Sequence, residues 1–142
     1  MSRLSLLNMA IGFTVLFFAA CAGAFVSFDM TEAYLKDVTQ LHTWQATLLA
    51  SAHGHTNLFG TLHIALGLTF PYSQLSSKIK AWQTAGLFAG VIAMGPLMMA
   101  RASYGPSESL EGMGLAIGVL LSLSLLTLAS HSVALWYRFM KV

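Results

Sequence analysis

The sequence predicts an all-α fold: an integral membrane four-helix bundle with both termini in the cytoplasm. Of the 142 residues, 56% are apolar and only 8% are charged, whereas a soluble domain usually carries about 25% charged residues. The mean hydropathy is +0.71, and the charged residues cluster between long neutral stretches. Because a transmembrane helix needs about 20 apolar residues, the chain has room for four spans and little extramembrane mass.

The first two spans are separated by a polar segment at residues 29–43. The first span covers residues 4–28, and its apolar run continues past Cys21, which is too long for the core of a cleaved secretory signal. Cys21 is the only cysteine, so an intramolecular disulfide is impossible. The second span covers residues 44–70 and ends at Pro71, which cannot continue a helix.

The last two spans cover residues 81–100 and 112–137. A serine-rich connector precedes the third span, and Pro96 predicts a kink near the far end of that span. Residues 101–108 are expected to form a loop. Small residues in the spans permit close helix contact within a bundle or between subunits: Gly60 and Gly67, Gly86 and Gly90, and Gly114 and Gly118.

The charges predict the orientation of the four spans. With this topology one side of the membrane receives five basic residues and no acid, and the other receives all five acids with only Lys36 and Arg101. Since basic loops stay in the cytoplasm, both termini are predicted to be cytoplasmic. The net charge of +2 is small and scattered, which argues against nucleic-acid binding. The basic set is Arg3, Lys78, Lys80, Arg138 and Lys141.

Imidazoles inside the second span are the main functional signal. An ionisable residue at bilayer depth costs about 2.5 kcal/mol or more on insertion scales, so its default interpretation is functional; the alternative is a hydrogen bond that joins helices. At 100° per residue, His53, Asn57 and Gly60 share one helix face, whereas His55 lies about 160° away. The two histidines therefore cannot ligate one ion in a regular helix, and His53 is the candidate metal ligand.

The residues around His53 favour a haem over a metal held by protein ligands alone. No intramembrane acid is available as a hard ligand, and the one thiol stands alone. A haem needs only an axial histidine, apolar walls and small residues that let the ring approach the backbone. His53 would be the ligand, Gly60 would give clearance, and Asn57 would be a polar group beside the pocket. His53 lies about 13 Å below the outer end of its helix, a depth that suits a buried cofactor.

Four other residues have open interpretations. His63 is either structural or part of a second site or substrate pocket, and His55 or His63 of another subunit could supply a second axial ligand. His131 lies among hydroxyl residues, which suggests interhelical hydrogen bonding. His42 is expected to be an ordinary interfacial histidine. Arg101 is either a cap that reaches the interface or a partner for a haem propionate.

The motif His53-x-His55-x-Asn57-Leu58-x-Gly60 resembles the His-x-His-x-Asn-Leu-x-Gly signature of short stand-alone haem-copper oxidase subunit I-like proteins. The wider layout, over most of the chain, resembles the styrene oxide isomerase family of small four-span bacterial membrane enzymes, which bind haem b as homotrimers. In both, a glycine follows seven residues after the histidine, here Gly60. A proline ends the span eighteen residues after the histidine, and a Gly-Pro loop precedes the last span.

This resemblance implies a four-span fold, a homotrimer in a bacterial inner membrane, and His53 as the axial ligand of haem b. In the isomerases the haem iron is a Lewis acid that binds an epoxide oxygen, so that the ring opens to an aldehyde. Phe59 and Met98 stand where the isomerases have a pocket asparagine and tyrosine, and Asn57 is the candidate catalytic residue here.

Three classes of function stay open. The preferred one is a haem b protein that carries out redox chemistry or binds a small molecule or gas at a His-ligated iron. The second is a haem-dependent epoxide isomerase acting on a small apolar substrate. The third is a cofactor-free structural subunit of a respiratory complex. In each the chain contacts the lipid bilayer, and we expect a homo-oligomer, with a trimer favoured.

Overall fold

All regular structure in the described chain is helical, which confirms the predicted all-α class. The structure is a computed structural model that describes residues 1–39, 43–106 and 112–142. Its elements are α1 (Arg3–Lys36), α2 (Trp44–Thr69), α3 (Ser77–Ile92), a π-helical turn (Ala93–Leu97), α4 (Met98–Ala102) and α5 (Gly112–Phe139). The segment from α3 through the π turn to α4 is called the third rod below.

Three of these helices have a serine or threonine side chain as their N-cap. The side chains of Ser2, Thr43 and Ser76 accept hydrogen bonds from backbone N–H groups in the first turns of α1, α2 and α3. Such caps satisfy donors that a helix leaves unpaired at its start. At the other end, α2 stops at Thr69, immediately before Phe70 and Pro71, as the sequence predicts.

Two helices extend beyond the predicted spans. α1 continues to Lys36 rather than ending near residue 28, and its last turns are supported by a Glu32–Lys36 salt bridge one turn apart, at 2.7 Å. The third rod begins at Ser77 and reaches Ala102, so Arg101 lies in a helix rather than in the predicted loop. Pro96 lies within the π turn, because its ring and missing N–H disturb the regular ladder.

The second helix lies at the centre of the fold. Both α1 and the third rod pack against it, and α5 packs mainly against α3. Phe59 and Leu66 of α2, with Phe70 just after its end, form much of the buried apolar core. Side chains from the other rods complete the core: Val15, Leu87, Val91 and Met94.

Glycines set several of the close helix approaches. A Cβ on Gly60 would lie 3.0 Å from Leu16 Cγ, and one on Gly67 would lie 2.6 Å from the Ser5 carbonyl oxygen, so both glycines admit α1. Gly86 likewise admits α5, because a Cβ there would overlap the Thr127 hydroxyl. Gly118 has open space around it within the described residues of a single copy.

Three helices in the described chain are long and apolar enough to cross a membrane. They are α1, the third rod and α5, whose most apolar windows have mean hydropathies of 2.2, 1.5 and 2.1. α2 has 26 residues but is outside this set, because its histidine, asparagine and glutamine side chains lower its hydropathy. The outward faces of α1 and α5 carry exposed Phe, Leu and Val side chains. These faces are compatible with contact with lipid, and the structure supports a membrane protein with transmembrane helices.

Successive rods run in opposite directions, which segregates charge. Hydrogen bonds of Asn8 to Thr84 and of Gln83 to Ser130 bring the start of α1, the start of α3 and the last third of α5 to one end. The basic residues identified above all belong to chain segments at this end, which is called the basic end below. The acids of the α1 terminus lie at the opposite end with Trp44.

Candidate functional site

His53 lies at the floor of a groove between α1 and α2. The groove has a volume of about 450 Å³, within the range of about 300–1,000 Å³ typical of small-molecule sites. α1 contributes Gly23, Ser27 and Tyr34 to its walls, and α2 contributes Ala50 and His53. The groove is therefore mostly apolar with a few hydroxyl groups, and it ends on one imidazole.

Hydrogen bonding fixes the tautomer of His53. Its Nδ1 lies 3.1 Å from the backbone oxygen of Ala19 on α1. A carbonyl oxygen only accepts, so Nδ1 must carry the proton and Nε2 presents a lone pair. A backbone carbonyl in this role is the usual outer partner of a metal-binding histidine, because it orients the ring and leaves the other nitrogen free to ligate.

Gly23 gives the His53 ring its space. A Cβ at position 23 would overlap the imidazole, so only glycine allows the ring to lie against α1 in this way. Asn57, one turn below, donates from Nδ2 to His53 Nε2 at 3.2 Å and to the His53 backbone oxygen at 3.1 Å. A ligand at Nε2 would replace the hydrogen bond from the Asn57 amide to that nitrogen.

The expected common face of His53, Asn57 and Gly60 is observed. His53 and Gly60 lie against α1, where Gly60 approaches Leu16 and Gly12, and the Asn57 amide contacts the His53 ring. His55 is exposed, and its Nδ1 donates to the backbone oxygen of Ser51 at 2.9 Å on its own helix. The structure thus separates the two histidines of the motif, as the helical spacing predicts.

His63 is fully buried in a polar cluster that joins three helices. Its Nδ1 lies 2.8 Å from Asn8 Oδ1, and Asn8 Nδ2 donates to the Thr84 hydroxyl at 2.8 Å and to the Leu4 backbone oxygen at 2.9 Å. These bonds assign the proton to Nδ1 of His63. Its Nε2 is buried without a hydrogen-bond partner in the described chain.

One chain cannot place His53 and His63 on the same iron. They are ten residues apart on a continuous helix, which corresponds to about 15 Å along its axis. The burial of His63 and its bonds to Asn8 fit the structural interpretation, while its bare Nε2 leaves the second-site interpretation as a prediction.

His131 makes the interhelical hydrogen bonds that the sequence suggests. Its Nδ1 lies 3.2 Å from Gln83 Oε1 on α3, and its Nε2 lies 2.8 Å from the Thr69 hydroxyl at the end of α2. Gln83 also donates to Ser130 at 2.9 Å. The cluster therefore ties α2, α3 and α5 together near the basic end.

Arg101 lies at the end opposite the basic end, over the Trp44 ring. Its guanidinium carbon is 5.3 Å from the centre of the Trp44 ring, and its Nη1 donates to the Gly105 backbone oxygen at 3.1 Å. Trp44 Nε1 in turn donates to the Tyr104 oxygen at 2.8 Å. These contacts fit the cap interpretation, and a role toward a haem propionate stays a prediction. His42 and Glu108 lie outside the described residues.

The residues present fit the axial side of a haem site. The donor set is one imidazole with a fixed tautomer in a mostly apolar groove, which suits haem, whereas a metal ion held by protein alone needs several ligands. Within residues 1–39, 43–106 and 112–142, no three His, Cys, Asp or Glu side chains come together as such a ligand set.

Sequence reasoning missed two residues of these sites. Asn8 is a single amide in the apolar start of α1, and a polar residue at that depth is itself a signal of an interhelical partner. Gly23 could not have been found in this way, because its importance depends on the register between α1 and α2.

No protein-family model, curated protein or solved structure matches this chain. The resemblance described above therefore depends on the quoted residues alone.

Proposed function

We propose that this chain is a haem b-binding integral membrane protein that uses a His53-ligated iron for redox chemistry or for binding a small molecule or gas. The observation that carries the proposal is the Nδ1 hydrogen bond of His53 to the Ala19 carbonyl, which leaves Nε2 as the unprotonated ring nitrogen of a histidine that lines a groove of suitable volume. The two parts of the proposal, cofactor and activity, are tested separately below.

The surrounding residues would hold the cofactor and exclude water. Haem iron, when bound, supplies a one-electron couple and a coordination position for a small ligand. Ala19 fixes the orientation of His53, and Gly23 lets the imidazole approach α1. Val26 and Met30 make part of the groove wall apolar and would limit the access of water to the bound group.

One contact supports a second candidate function, a haem-dependent epoxide isomerase. The Asn57 amide lies 3.2 Å from His53 Nε2 and belongs to the same side of the helix. Displaced from Nε2 by a ligand, this N–H would be a free donor beside the cofactor. Lewis-acid opening of an epoxide would then need no change in oxidation state.

The first experiment is a visible absorption spectrum of protein purified from cells supplied with haem. We expect a Soret band in the wild type that shifts with dithionite, and we expect it to be lost in His53→Ala. His55→Ala is the matched control, because that ring is exposed and bonded to its own helix, and it should keep the band. A colourless wild type would contradict the proposal and favour the cofactor-free structural subunit.

Activity is then assigned with the coloured protein. A spectrum of the reduced protein that changes with carbon monoxide supports small-ligand binding. Conversion of styrene oxide to phenylacetaldehyde, lost in Asn57→Ala with the Soret band retained, would instead assign the isomerase. Absence of both, with reversible reduction, would leave electron transfer.

The topology belongs to the same proposal. We place four spans in a bacterial inner membrane with both termini in the cytoplasm, and α2 is included because α1 and the third rod both pack against it. Reporter fusions to the two termini should both give cytoplasmic activity, and a periplasmic signal from either would refute this orientation. Mass measurement of the detergent-solubilised protein tests the trimer.

A further inference from the structure

A second groove, between α3 and α5, lies away from His53 and near the basic end. It has a volume of about 380 Å³ and apolar walls that include Trp82 and Leu126. Its polar lining consists of Gln83, Thr127 and Ser130. We infer that this groove is a binding site for an anionic phospholipid, with an acyl ester carbonyl at its polar lining and the phosphate among the cations of the basic end.

Thr127 is the first observation that indicates a ligand here. Its side chain is only 7% exposed, and its hydroxyl has no hydrogen-bond acceptor in the part of the chain that the structure describes. A threonine in a helix usually donates to the carbonyl one turn earlier, and Thr56, Thr61 and Thr84 do so here. The Thr127 oxygen instead lies against Gly86. Its O–H is thus free to donate to an acceptor that enters the groove.

The neighbouring polar groups are already paired in a way that favours an acceptor as ligand. Gln83 donates to Ser130, and Ser130 donates to the Thr127 backbone oxygen at 2.8 Å. The Gln83 oxygen accepts from His131. The available group in the groove is therefore a hydrogen-bond donor, the Thr127 hydroxyl. An ester carbonyl is the acceptor that phospholipids present at this depth.

Depth and charge select a phospholipid rather than another carbonyl compound. Gln83 is six residues from the start of α3, or about 9 Å, and a headgroup layer is about 5–7 Å thick. The groove thus begins near the boundary between headgroups and hydrocarbon. Lys78 lies one turn below Trp82 on the same face of α3, and Arg138 continues the Thr127 face of α5 toward the basic end. Both cations are exposed and would lie at headgroup level.

The exposed Trp82 provides a direct reporter of the groove. It is 70% exposed and lines the groove, so Trp44→Phe with Trp136→Phe leaves it as the single tryptophan, whose emission can be excited selectively. This variant is reconstituted in phosphatidylcholine vesicles that contain increasing fractions of brominated phosphatidylglycerol or brominated phosphatidylcholine. We expect stronger quenching by the anionic lipid at equal fraction.

Substitutions separate the two parts of the inference. Lys78→Gln and Arg138→Gln should each lower the preference for the anionic lipid about fivefold, the effect of one cation near a membrane surface. Lys36→Gln, a cation at the opposite end, should leave it unchanged. Thr127→Val, which keeps the shape of the side chain, should weaken quenching by both lipids about two- to fivefold without changing their ratio.

Several results would overturn the inference. Equal quenching by the two lipids, or a preference that survives both substitutions, would remove the charge argument. Absence of quenching by any brominated lipid would indicate that another copy of the chain covers the groove. Stronger quenching by an added quinone than by phosphatidylglycerol would assign the donor to a different carbonyl ligand.

Discussion

Substitution of Gly23 tests how α1 positions the proposed haem ligand. A Cβ at this position would overlap the His53 imidazole. The ring is the movable partner, so Gly23→Ala should displace it and break its hydrogen bond to the Ala19 carbonyl. That bond contributes about 0.5–1.5 kcal/mol by itself, and loss of the outer partner of a metal ligand usually lowers metal affinity about 10–100-fold. We expect a loss of haem affinity in this range.

Gly54→Ala is the matched control on the neighbouring helix. A Cβ at Gly54 meets no atom within 4 Å, and alanine stabilises a helix by about 1 kcal/mol relative to glycine. Haem affinity should therefore be unchanged, with equal or greater stability. The assay is a haemin titration of detergent-purified protein made without added haem, followed by the Soret absorbance. Haem binding by Gly23→Ala that is as tight as binding by Gly54→Ala would refute the reasoning.

Two further predictions concern stability, measured as unfolding in mixed detergent micelles by far-ultraviolet circular dichroism. Asn8→Ala removes two interhelical hydrogen bonds, which are worth about 0.6 kcal/mol each. It also leaves a buried N–H of His63 unpaired, which costs about 1–3 kcal/mol. We therefore expect the free energy of unfolding to fall by roughly 2–4 kcal/mol. In the double variant with His63→Ala the two losses should fall short of additivity by about 1 kcal/mol or more; full additivity would show that the two side chains do not interact. Gly86→Ala should destabilise by about 1–3 kcal/mol because its Cβ would meet Thr127. Gly118→Ala should be neutral or slightly stabilising; equal effects of the two glycine substitutions would contradict the proposed packing of α3 on α5.

The helical fold was predictable because apolar length and charge clustering act locally. Proline positions also had local consequences: α2 ends just before Pro71, and the ladder changes to a π turn at Pro96. The continuation of α1 to Lys36 was not predicted, because the hydropathy drop after residue 28 indicates where the apolar run ends and not where the helix ends. An ion pair one turn apart keeps that polar end helical.

The candidate site was predictable only in part. Helical periodicity placed His53, Asn57 and Gly60 on one face and His55 on another, since this depends on a single helix. The Ala19 carbonyl and Gly23 depend on how α1 and α2 are registered, which no local pattern determines. The pairing of His63 with Asn8 was missed for the same reason, although each side chain alone was conspicuous in its apolar surroundings.

The most direct test of the account is chemical rescue of a His53→Gly variant with imidazole. Without imidazole the purified variant should lack the Soret band of the wild type. Added imidazole should enter the space left by the side chain and donate a hydrogen bond to the Ala19 carbonyl, as the His53 ring does. It should restore both the Soret band and the haem stoichiometry. A variant that keeps a wild-type spectrum without imidazole would show that His53 is not the ligand, and the central claim would fail.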